Sequence, residues 1–125
     1  MPLVILKYRT YRGLNQIVKN LADELPMIVA SNLSTGIVHE GHVEPADIIV
    51  EPVPASDLSV NEKDIEIYII SHDYPARRVN LEERNRRMFE KVLSFLADYD
   101  RNVSGFVWTL LMPTAFKSFE IEIAG

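Results

Sequence analysis

The chain of 125 residues contains no cysteine. Disulfides, thiolate nucleophiles and thiolate metal sites are therefore excluded, and nothing demands an oxidising compartment. No apolar run approaches the ~20 residues that a membrane-spanning helix requires. The first residues also lack a cationic stretch followed by an apolar core and a small-residue cleavage site. These absences predict a soluble, cytoplasmic protein with no membrane partner. Basic residues are in deficit, with 13 Lys and Arg against 18 Asp and Glu, for a formal net charge of -5. That balance argues against a nucleic-acid surface while leaving room for a local basic pocket. Nucleophile elbows, phosphate-binding glycine loops and zinc-protease signatures are all missing.

What is present begins with Pro2. Cleavage of Met1 before this small residue would leave a secondary amine as the free terminus of a strand. An α-amino group titrates near ~8, and burial or nearby cations lower that value by disfavouring the charged form. A base tuned close to the working pH is what general acid–base catalysis needs. The same residue also has a purely structural use, since proline is tolerated at the first position of a strand. If Met1 stays, the Pro2 nitrogen is an amide and has no basicity to offer.

The elements repeat. Residues 2–9 alternate as a strand with apolar groups on both faces. Leu14, Ile17, Val18, Leu21, Leu25, Ile28 and Val29 follow at helical spacing, with Pro26 predicted to bend or divide the helix and Gly36 a plausible stop. Residues 47–53 read as a short strand closed by Pro52 and Pro54. A third strand at 64–70 then leads to a break at Tyr74-Pro75-Ala76 and a helix opened by Asn80, with Glu83 placed to complete a capping box. Its stripe is Leu81, Met88, Phe89, Val92, Leu96 and Tyr99. Residues 105–112 form a last core strand, and Phe119, Ile121 and Ile123 alternate with glutamates as a short extra strand.

The fold class that follows is α+β: two consecutive strand–helix–strand units, about 1–55 and 63–113, in one domain spanning 1–125. They build a four-stranded mixed sheet with two helices on one face, plus the short C-terminal strand. One sheet face is left open, and its apolar residues call for cover by other copies of the chain. A ferredoxin-like binding domain shares this element order.

Pro2 opening the first strand, the doubled unit and the expected oligomer together resemble the tautomerase superfamily. Within it the layout is most similar to the 5-carboxymethyl-2-hydroxymuconate isomerases. Three segments carry that likeness: Ser34-Thr35-Gly36-Ile37, Asn80-Leu81-Glu82-Glu83-Arg84 and Pro113-Thr114-Ala115-Phe116-Lys117. The resemblance implies a homotrimer that moves a proton on a small anionic substrate, an unsaturated 2-oxo or 2-hydroxy acid of aromatic catabolism, without a cofactor. Pro2 would be the catalytic base and acid. Arginine suits carboxylate binding because its planar fork makes two parallel charge-assisted bonds. Arg12, which Arg9 could replace, and the neighbours Arg77 and Arg78 are the candidates. Trp108 and Phe116 would wall the site and dehydrate Pro2, although core packing explains aromatic residues there equally well. The alternative is a non-catalytic oligomeric scaffold that binds a ligand or protein.

The histidines point to no metal. His39 and His42 flank Gly41 beside Glu40 and Glu44, a spacing that matches no secure ligand geometry. His72-Asp73 at a strand end could orient a ring for base work, or simply form a local cap.

Overall fold

The computed structural model describes residues 2–10, 13–37 and 40–124. In chain order its elements are β1 (Leu3–Tyr8), α1 (Asn15–Leu33), a single 3-10 turn (Pro45–Asp47), β2 (Ile49–Pro54), β3 (Ile65–His72), α2 (Pro75–Arg78), α3 (Leu81–Leu96) and β4 (Gly105–Met112). The sheet order is β2-β1-β3-β4. Pairing is parallel within each strand–helix–strand unit and antiparallel between β1 and β3 at the centre. The sheet is therefore mixed, as the doubled pattern requires. Both units keep their two strands adjacent, whereas a ferredoxin-like sheet splits them, so strand order decides between the two candidate folds.

Alternation assigns the faces. Val4 lies opposite Ile69, Leu6 opposite Ile67 and Tyr8 opposite Ile65, and this side packs under the helices. Ile17, Val18, Leu21, Leu25, Val29 and Leu33 of α1 complete the core with Met88 and Val92 of α3. Each such side chain stabilises the fold by roughly 1.5–3 kcal/mol when fully buried. That anchorage explains why α1 runs unbroken through Pro26: one backbone bond is lost, but Leu25 and Val29 are buried on either side of it.

Two expectations are corrected. Asn80 does precede α3, yet no capping box forms. Its Oδ1 accepts from Arg84 Nε at 2.7 Å, and the Glu83 carboxylate is taken by Arg86 and Arg87. Side-chain ion pairs have won over the helix end. The C-terminal strand is also absent: residues 119–124 join no ladder, and Phe119, Ile121 and Ile123 are 79–92% exposed. An isolated alternating segment cannot satisfy its backbone groups without a second strand beside it.

The second face of the sheet stays open. Ile49, Trp108 and Met112 are about half exposed there, and Tyr68 packs edge-on to Phe106 with ring centres 5.4 Å apart. The sheet edges differ in chemistry. Ile49 N–H bonds to Pro2 O and Ala55 N–H to Tyr8 O, so alternate residues of β2 aim their donors inward. Pro52 and Pro54 fall on the outward positions, where they delete donors from the free edge. On the β4 edge there is no proline, and the only side chain bound to its backbone among the described residues is Asn85, which donates to Val107 O at 3.2 Å.

Candidate functional site

Pro2 is buried at the end of the central ladder. The last registered pair of β1 and β3 is Leu3 opposite Ile70, so the next positions along the strands are Pro2 and Ser71. Both lie on the helix side, in step with Val4 and Ile69. Ser71 is 2% exposed. Residues directly opposite in such a ladder have Cβ atoms about 5 Å apart.

Behind Ser71 stands Arg77. The turn α2 begins with Pro75 at its first position, where the ring's fixed φ suits a helix. Successive residues on such a turn point ~100° apart. Arg77 consequently turns inward and Arg78 outward. The Arg77 guanidinium is buried and donates from Nε to Leu33 O at 2.9 Å, from Nη1 to Ser71 Oγ at 2.7 Å and His72 O at 3.1 Å, and from Nη2 to Gly41 O at 3.0 Å. It joins the end of α1, the loop at Gly41 and the end of β3. Gly41 has φ +94, and a Cβ there would come within 3.3 Å of the guanidinium carbon and 2.9 Å of Thr35 Cγ2. Only glycine fits that approach. Burial is the main cause that lowers the Arg77 pKa; the Tyr74 interaction opposes it and repulsion from Arg84 adds to it.

Arg78 is exposed and holds Asp73 with both branches of its fork, Nε to Oδ1 at 3.0 Å and Nη2 to Oδ2 at 3.1 Å. This hydrogen bond, and then the Asp73 charge, raise its pKa. Together with Trp108 and Thr109 it lines an open cleft of about 880 Å³ at the start of α3.

The candidates from sequence thus divide. Pro2 and Arg77 meet through Ser71, and Arg78 and Trp108 share the cleft. Trp108 does not reach Pro2 within one chain: it pairs with Tyr68, three positions along β3 from Ser71 and on the opposite face, roughly 10 Å along the strand at ~3.3 Å per residue. Phe116 is 59% exposed, two residues beyond Thr114, whose backbone N–H donates to His72 Nδ1 at 3.2 Å. Arg9 sits at the far end of the sheet, bound to Glu62 and Asp64, and cannot stand in at Pro2. Arg12 and His39 lie outside the described residues, as does Met1.

Among the described residues no group of three or more His, Asp or Glu is placed to hold a metal ion. His42 instead bridges Glu44, at 2.7 Å, and Ser34, at 3.3 Å. No helix among the described residues is long and apolar enough to cross a membrane. Sequence reasoning missed Ser71, Gly41 and Arg84 as parts of this end; the arginines that follow Arg84 in the same helix, Arg86 and Arg87, left it no signal of its own.

A solved structure, that of Leishmania major MIF2, superposes with a TM-score of 0.57 over 94% of this chain and 93% of its own, at 11% sequence identity. The chain has the MIF-like tautomerase fold. No protein-family model and no curated protein sequence matches it. In this tautomerase fold Pro2 opens the first strand, beside the strand end that carries Ser71 and the turn that carries both candidate arginines.

Proposed function

We propose that this tautomerase-fold chain is a cofactor-independent tautomerase or isomerase of small unsaturated 2-oxo or 2-hydroxy acids, with Pro2 as general base and acid once Met1 is removed. The observation that carries the reading is the burial of Pro2 on a rigid strand opposite Ser71, with the buried Arg77 behind. Burial disfavours a charged amine, so a freed Pro2 nitrogen would hold its lone pair near neutral pH. It would take a proton from one carbon and return it to another, while charge gathered on the substrate's carbonyl oxygen. Arg12 and Arg78 are the proposed carboxylate binders; Arg78 would exchange Asp73 for the substrate.

The remaining parts of the reading concern assembly and setting. The open sheet face and the exposed tail support a homotrimer, in which Trp108 and Phe116 of neighbouring copies wall the sites. The whole of 1–125 acts as one domain in this reading, in the cytoplasm. The likeness of residues 34–37, 80–84 and 113–117 to 5-carboxymethyl-2-hydroxymuconate isomerases favours a substrate from aromatic catabolism.

Intact-mass measurement of the native protein comes first, because a full complement of Met1 would sink the enzyme reading and leave the non-catalytic scaffold. With Met1 gone, ketonisation of 2-hydroxymuconate or phenylenolpyruvate should be measurable. Pro2→Ala should lower it by about 10²-fold or more, the scale of a lost general base. Wild-type activity in that variant would assign the chemistry to another group.

A further inference from the structure

Six arginines among the described residues, Arg9, Arg77, Arg78, Arg84, Arg86 and Arg87, fall into two groups. Arg9, Arg78, Arg86 and Arg87 are ion-paired with carboxylates. Arg77 and Arg84 are not: among the described residues every hydrogen-bond acceptor they hold is neutral. Arg84 donates to Asn32 O at 2.6 Å and Ser34 O at 3.2 Å, with Asn80 Oδ1 on its Nε. Arg77 holds Leu33 O between them. Two full positive charges therefore converge on the last carbonyls of α1, whose dipole supplies only about half a negative charge. Burial comes first among the causes that lower the pKa of each. Guanidinium remains charged through such shifts because its starting value exceeds 12.

We infer that Arg77, backed by Arg84, is a positioning residue for Pro2, an uncompensated buried charge that keeps the freed prolyl nitrogen neutral and draws an anion to it without touching either. This rests on the reading of Pro2 as a free base. The link is geometric: Pro2 and Ser71 are the positions next beyond Leu3 and Ile70, the last registered pair of β1 and β3, and the Ser71 hydroxyl accepts from Arg77. The field would be felt across one side chain in a low-dielectric interior, where charges interact several times more strongly than in water.

Other charges at this end leave the excess in place. Asp73 is neutralised by Arg78. Glu44 lies against His42, while Asp47 accepts the Glu44 backbone N–H. Glu40 is exposed. From β3 and α2 the remaining titratable rings are His72, bound to Thr114, and Tyr74, which lies against both His72 and the Arg77 guanidinium.

The test is to follow the Pro2 amine by ¹⁵N NMR of Met1-free protein labelled at proline, across pH, in the wild type and in Arg77→Lys, Arg77→Gln and Arg84→Gln. Removing the charge in Arg77→Gln should raise the midpoint by about one pH unit, the scale of a unit charge acting at an effective dielectric of ~20. Arg84→Gln should raise it less, and Arg77→Lys should hold it near wild type. A folded Arg77→Gln with an unmoved midpoint overturns the inference. Should that variant not fold, an unmoved midpoint in Arg84→Gln overturns it instead, since Arg84 is only partly buried and its loss is tolerable. The enzyme reading fails separately: shifted midpoints with no ketonisation in any form would keep the electrostatics and discard the catalysis.

Discussion

The two ends of the central ladder hold an arginine, half-buried at one and buried at the other, in opposite ways. At the Tyr8 end, Arg9 reaches Glu62 at 3.2 Å and Asp64 at 3.3 Å, and Asp64 also accepts from the backbone N–H and hydroxyl of Ser104. Charge there is cancelled locally, and the cluster stitches β1, β3 and the start of β4. At the Pro2 end, Arg77 is paid for with backbone carbonyls and a serine, so its contacts are satisfied while its charge is not. Hydrogen bonding and charge compensation are separate requirements. An end that meets both is a structural clasp; one that meets only the first keeps a field available for chemistry.

The largest expected effect comes from breaking the uncompensated end. Arg77→Ala leaves Leu33 O and Ser71 Oγ without the donor they have here, in a site where water has little access, while Gly41 O and His72 O lose one donor but keep the Thr35 and Tyr74 N–H groups. A loss of roughly 2–4 kcal/mol is expected from several buried bonds to a charged group. Urea unfolding should show it as a lower midpoint at unchanged slope. A loss under ~1 kcal/mol would mean that water or a local rearrangement supplies new donors to Leu33 O and Ser71 Oγ.

Much of the fold was legible because apolar spacing at two and 3.6 residues is imposed by the covered sheet face: β4 was read at its observed bounds and α3 nearly so. The Arg77 clasp was not legible, because three of its four acceptors are backbone carbonyls, which carry no residue signature. Choosing between Arg77 and Arg78 needed the phase of a four-residue turn, which Pro75 sets. Asn80 and Glu83 misled for a related reason. Their spacing is that of a capping box, but Arg84, Arg86 and Arg87 compete for the same oxygens. The Phe119 to Ile123 alternation misled as well: its pattern suits a strand, but among the described residues none pairs with it.

The compensated end should respond less. In Asp64→Ala, Arg9 retains Glu62, while the Ser104 N–H and hydroxyl lose their acceptor, so about 1–2 kcal/mol is expected. The contrast with Arg77→Ala is sharper in its functional readout. Asp64→Ala should leave the Pro2 midpoint where it was, because Asp64 stands just before β3, seven positions from Ser71 and roughly 23 Å away at ~3.3 Å per residue. A shift comparable to that of Arg77→Gln would show that the midpoint follows global stability rather than a local field.

The smallest effect belongs to the exposed charges of α3, which test whether pairing alone matters. The Glu83 carboxyl is held below its usual range chiefly by its hydrogen bond from Arg86, which an opposing cost of burial partly offsets, with the Arg86 and Arg87 charges lowering it further. A carboxylate with a lowered folded pKa stabilises the fold above its unfolded pKa. That contribution drains away as pH falls through the folded value, so Glu83→Gln should be slightly less stable than wild type near neutral pH, with a flatter acid limb along which the difference vanishes. Full exposure and salt screening make the change slight. Thermal melts between pH 7 and pH 3, at low and high salt, would reveal it as a difference that salt erases. A Glu83→Gln effect that survives high salt, or that does not shrink toward acid, would place Glu83 in the cleft's own chemistry alongside Arg78 and Trp108 rather than in a solvated pair.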